Sequence, residues 1–205
     1  MRELPILFNT EMVRAILDDR KTCTRRVIKD AVKENQEINK NGKGEFELYD
    51  ITSRCGIPKG KIYNPPYQPG DILYVRETWH KYTKRVGNGE SCHLAEFYGY
   101  KASIANSEDA NEPWKPSIHM PKEAARIWLK VTDVRVERLQ EMDKTDALKE
   151  GIDPRLCINL SHALTQFKKI WDSTIKKSDL DIYGWKANPW VWVIEFERCE
   201  KLGKE

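Results

Sequence analysis

NPWVWVIEFER, residues 188–198, alternates with a period of two. Trp190, Trp192, Ile194 and Phe196 fall on one face of an extended chain, the pattern of a β-strand. Two further stretches share this character. In DILYVRETW, residues 71–79, Leu73, Val75, Glu77 and Trp79 take one face while Ile72, Tyr74, Arg76 and Thr78 take the other. Glu77 thus falls among apolar neighbours and needs a partner. In IWLKVTDVRVERL, residues 127–139, the apolar parity slips from odd (Ile127, Leu129, Val131) to even (Val134, Val136), and a bulge or bend near Asp133 would absorb the slip.

Between the strands lie helical patterns. Residues 10–19 carry Met12, Val13, Ile16 and Leu17 as an apolar stripe behind Thr10 as N-cap. DKTDALKEG, residues 143–151, reads as a short helix with Asp143 as N-cap, Glu150 as its last residue and Gly151 as the left-handed residue beyond it. From Leu160 to Ile175 the apolar positions keep helical spacing. EFELYDI and LAEFYGYKA are shorter strand candidates, whereas residues 30–45 are polar enough to read as a surface excursion and GIPKGKIYNPPYQPGD as a run of turns. Separated strands with a few helices and no regular βα alternation predict an α+β fold on a small barrel or curled sheet.

The bulk composition narrows the function classes. The chain has 205 residues, 40% hydrophobic and 33% charged, with seven tryptophans and a net charge of +3, and its mean hydropathy is −0.70. This charge does not by itself mark a nucleic-acid protein, so only local clusters speak. The first residues lack the apolar core of a signal peptide and no later run is long enough to span a membrane, which predicts a cytoplasmic protein without membrane contact. Five scattered cysteines without a C-x-x-C pair predict reduced thiols and no metal site. NGKGE and PKGK lack the phosphate-loop spacing, so nothing points to nucleotide triphosphate hydrolysis.

The densest local cluster is RKTCTRR, residues 20–26; between Arg20 and Lys29 there are five basic residues and no acidic one. A solvated basic loop is the plain reading. If the backbone turns tightly, Thr22 and Thr24 hydroxyls and the local amides could instead cradle an anion.

Taken in order, DDRKTCTRR after a helix, QPGDILYVRETW, LQEMDKTDALKEGI and VWVIEFERC resemble the ASCH family of the PUA-like superfamily, in particular its longer bacteriophage- and prophage-encoded members. The likeness covers nearly the whole chain as a single domain, 1–205, with residues 30–68 and 80–113 as polar insertions. It implies a small β-barrel flanked by helices, a cleft at the K-T-x-T segment, and RNA, DNA or a modified nucleoside as ligand, with no cofactor. Some short members of the family are amidohydrolases that deacetylate N4-acetylcytidine, and matching positions here makes Lys21, Thr24 and Glu150 the catalytic candidates. The family usually has Gly where this chain has Asp19, a residue type that tolerates left-handed dihedrals.

In such a reaction Thr24 would be the nucleophile, Lys21 as neutral amine would take its proton, and Arg25 and Arg26 would stabilise the oxyanion. Glu77 is expected to pair with Arg25 or Arg26, leaving Arg76 for ligand or solvent. His119, before an extended Pro121 segment, is a further candidate, and Trp79, Trp114 and Trp185 could stack a base. Two functions therefore stand side by side: an N-acyl amidohydrolase, and a non-catalytic module that binds nucleic acid or reads a modified base.

Overall fold

The structure is a computed structural model that describes residues 1–29, 36–52, 55–88, 91–103 and 113–201. Parts of both insertions, 30–35, 53–54, 89–90 and 104–112, lie outside the described residues. The fold is α+β. Its largest sheet has the order β1-β6-β9-β10-β2, formed by β1 (Glu3–Leu7), β2 (Cys23–Val27), β6 (Ile72–Arg76), β9 (Trp128–Arg138) and β10 (Trp190–Cys199). The expected barrel is not closed among the described residues. The sheet is open, with different strands at its two ends; β3 (Gln36–Lys40), β4 (Phe46–Asp50) and β5 (Ile57–Tyr63) form a separate small sheet, and β7 (Trp79–Val86) and β8 (His93–Tyr100) another. The chain divides into two compact units, Met1–Asp19 with Gly70–Lys130 and Glu197–Glu205, and Arg20–Pro69 with Val131–Phe196.

In the first unit β1 runs parallel to β6, and β6 pairs antiparallel with the start of β9, Leu73 opposite Leu129. Helix α1 (Thr10–Leu17) buries Val13, Ala15 and Ile16. Its cap is Asn9, one residue earlier than expected, whose side chain accepts from the Met12 amide at 2.9 Å. After it Asp19 takes φ 55°, the left-handed turn that Asp tolerates. DILYVRETW is not one strand. It breaks after Arg76, and Glu77 sits in the break, 1% exposed.

The β7–β8 ribbon depends on a close approach. His80 lies over Gly99, stacked with Tyr82 at 5.4 Å and tilted onto Trp114 at 4.6 Å. A Cβ on Gly99 would sit 1.8 Å from His80 Nε2. Since His80 is buried between rings, Gly99→Ala is expected to cost about 1–3 kcal/mol in urea denaturation, and His80→Ala in the same chain should recover part of that loss.

In the second unit β10 pairs with β2 from Val191 opposite Val27 to Glu195 opposite Cys23. Its odd residues Val191 and Val193 join a core of Cys23, Leu139, Met142, Ala147, Ile152, Ala163, Phe167 and Trp171 under α2 (Lys144–Lys149) and α3 (Leu160–Thr174). Its even residues Trp190, Trp192, Ile194 and Phe196 are buried as well, so β10 is covered on both faces rather than one. The parity slip in β9 appears as burial moving from Val131 to Val134. The first insertion is more than a surface excursion, because Ile38, Phe46, Leu48 and Tyr63 are buried and the run read as turns contributes β5. Phe46 meets Trp192 edge-on at 4.9 Å.

On the surface of this unit, hydrogen bonds from Thr52 and the Lys59 ammonium hold the Asp50 carboxyl down at about 2, and Arg155 does the same for Asp153. Depressed carboxylates contribute stability above their unfolded pKa, near 3.9, and lose it as pH falls toward about 2. Melting temperature should therefore drop across this window, and Asp153→Asn should flatten the drop; a profile superimposable on the wild type would show that the Arg155 contact does not form.

Candidate functional site

RKTCTRR is mostly strand. Thr22 is exposed, with its amide donating to Lys149 O at 2.9 Å and its carbonyl accepting from the Phe196 amide at 2.9 Å. Residues 23–27 form β2, whose register against β10 is continuous, so a sheet ladder stands where the sequence read as a solvated basic loop or, if tightly turned, an anion cradle. Alternation then divides the motif: Thr24 and Arg26, opposite Ile194 and Trp192, share one face, and Cys23 and Arg25 share the other.

On the Cys23 face α2 supplies the acids. Asp143 caps it as expected, its carboxylate accepting from the Thr145 and Asp146 amides. One turn of helix then sets Asp146 and Glu150 on one side, as an i,i+4 pair. Glu150 is the C-cap residue and Gly151 follows at φ 99°. Lys21 forms an isolated antiparallel bridge with Glu150. Its ammonium donates to Cys23 O at 2.8 Å, Glu150 O at 2.9 Å and Glu150 Oε2 at 2.7 Å. The Arg25 guanidinium reaches Glu150 Oε1 at 3.2 Å, Asp146 Oδ2 at 2.9 Å and Glu137 Oε2 at 3.4 Å.

The side chains of Lys21 and Arg25 are 0% exposed and that of Glu150 5%. Burial alone would lower the Arg25 pKa, but Cys23, Glu150, Asp146 and Glu137 outweigh it and leave it raised. Burial first, and then the Glu150 charge, push the Cys23 thiol well above its ordinary range, so it is packing and not a nucleophile.

Of the three catalytic candidates, Lys21 and Glu150 meet. Thr24 is buried on the opposite face of β2. Asp146 and Glu137 were not singled out from sequence; the i,i+4 spacing to Glu150 was the available signal for Asp146, whereas Glu137 enters only through the strand arrangement.

On the Arg26 face a cavity of about 510 Å³ opens, lined among others by Arg26, Lys29, Tyr63, Asn64, Tyr67 and Trp192. Arg26 is half-buried; burial lowers its pKa, and Tyr67 and Glu150 oppose that. Burial in turn raises the Tyr67 phenol, with Arg26 working against it. Polarisable rings, two cations and an amide around one opening suit a flat, anionic ligand.

The remaining candidates, apart from Trp185, belong to the first unit. Glu77 does not pair with Arg25 or Arg26. Both its oxygens accept from Arg126, at 2.8 and 3.0 Å, and Arg126 also lies 4.1 Å over the Tyr100 ring. Arg25 is instead taken up by the acids of α2 and β9. Arg76 Nε donates to Met120 O at 2.7 Å, fixing backbone. Trp79 is 6% exposed in a core with Met120 and Trp128, so it packs where base stacking was expected. His119 is exposed in a short 3-10 turn, Ser117–His119. Trp114 packs on His80, and in the second unit Trp185 packs on Phe167.

No helix among the described residues is long and apolar enough to cross a membrane. No protein-family model, curated protein or solved structure matches the chain.

Removing one partner of a buried ion pair strands the other. Glu150→Ala should therefore destabilise the protein by about 3–5 kcal/mol, measured by chemical denaturation, and Lys21→Met should do the same. A loss below about 1 kcal/mol, the value of an exposed pair, would show that the cluster is solvated.

Proposed function

We propose that this chain is an ASCH-type protein of the PUA-like superfamily that binds RNA, DNA or a modified nucleoside in the cavity beside β2, as a reader and not as a catalyst. The observation that carries this reading is the cavity's lining: Arg26 and Lys29 for phosphate and the half-buried Tyr67 ring for the flat face of a base. Of the RKTCTRR motif only Arg26 lines this cavity, so it lies beside the K-T-x-T segment where the resemblance places the cleft and not at it.

The non-catalytic form is favoured by Lys21, whose three N–H donors already address Glu150 and Cys23 O, and by Thr24 lying on the other face of the strand. A second reading, amidohydrolysis of an N-acylated base by Lys21, Thr24 and Glu150, draws on one observation: residues 129 apart in sequence are brought into contact at 2.7 Å. For that reaction Lys21 would have to release one of its acceptors and turn its nitrogen toward the Thr24 hydroxyl.

Calorimetric titration with cytidine, N4-acetylcytidine and short single-stranded oligonucleotides at low salt tests both readings. Binding that weakens as salt rises and falls about tenfold or more in Arg26→Ala, the worth of one charge-assisted contact, is the expected result. Absence of binding to all of these ligands would overturn the proposal. Release of acetate from N4-acetylcytidine that vanishes in Thr24→Val would replace the reader with the hydrolase.

A further inference from the structure

We infer that the binding site is double, with two adjoining subsites that accept two consecutive nucleotides of a single strand; this rests on the nucleotide-binding reading just given. A second cavity, of about 340 Å³, is lined by residues of the first insertion, including Lys40, Glu45, Phe46 and Gln68, and it shares Ile62, Tyr63 and Asn64 with the first. Each cavity falls within the range of about 300–1,000 Å³ that a whole small-ligand site occupies. Together they exceed what one base requires.

The two repeat the same chemistry. The first sets Arg26 and Lys29 around Trp192 and Tyr67; the second sets Lys40, its ammonium 5.3 Å from the ring centroid of Phe46. Phe46 and Trp192, one from each cavity, pack edge to face with centroids 4.9 Å apart, so the walls of the two cavities are in direct contact. Glu45 makes the second cavity less hospitable to phosphate than the first, and with Asn64 and Gln68 it offers the acceptors and donors that read base edges.

The shared wall carries the strongest sign of a missing partner. Tyr63 is 6% exposed, and among the described residues its hydroxyl is buried with no hydrogen-bond partner. Native structures rarely leave such a group unsatisfied, because its desolvation is uncompensated. Tyr63 lines both cavities, and the ribose or base edge of a ligand that crosses from one to the other can satisfy this hydroxyl.

The test is calorimetric titration of the intact protein with cytidine 5′-monophosphate and with the 5′-phosphorylated dinucleotide of cytidine. The dinucleotide should bind about tenfold tighter or more, since its second nucleotide binds intramolecularly. Tyr63→Phe and Lys40→Ala, each checked for folding by circular dichroism, should weaken the dinucleotide about fivefold, as loss of one polar contact does. Equal affinity for the two ligands, or dinucleotide affinity unchanged in both variants, would overturn the double site while leaving the single cavity standing. Binding of neither ligand would remove both.

Discussion

The pairing of β2 with β10 governs everything that bears on function in the second unit. Four residues of the basic motif, with Val27 after them, are held in register against Val191–Glu195, and a strand offers its side chains alternately to two faces. Cys23 and Arg25 are thereby delivered to α2, and Arg26 to the aromatic cavity. A slip of one residue would exchange these roles, bringing Arg26 to the acids and Arg25 to the rings. Burial of β10 on both faces makes such a slip costly, since Val193, Trp192 and Ile194 would all change environment.

The cluster on the Cys23 face answers to burial. Two cations with no side-chain exposure require acids within reach, and α2 supplies two of them from successive turns, with Glu137 of β9 as the third. Such pairs add little net stability compared with apolar packing but penalise any arrangement that separates them. Their effect here is to fix α2 to β2. The same saturation explains why Lys21 is poorly placed to act as a base: its donors face carbonyl and carboxylate oxygens. The Arg26 face has rings and open volume instead.

Much of the local structure was legible in the sequence because it depends on near neighbours. Asp143 capping α2, Gly151 in the left-handed region, Asp19 at φ 55°, and the helical spacing from Leu160 all follow from short-range sterics and capping. The errors lie where a distant partner decides. RKTCTRR looked like a loop because its charge masks a β-strand that only β10 completes. Residues 57–63, rich in Pro, Gly and Lys, form β5 because β4 pairs with them. Glu77 announced that it needed a cation, but sequence could not say that Arg126, 49 residues on, would provide it.

The sequence by itself determined that the segments from Thr10, Lys144 and Leu160 are helical and that the apolar alternation at residues 190–196 is a strand. Only the tertiary structure decided which of the candidate residues meet. Register across β2 and β10 joined Lys21 to Glu150, turned Thr24 away, and set Arg26 beside Trp192. The physical reason is that capping and periodicity act over a few residues, whereas the facing of a strand is fixed by partners more than a hundred residues away.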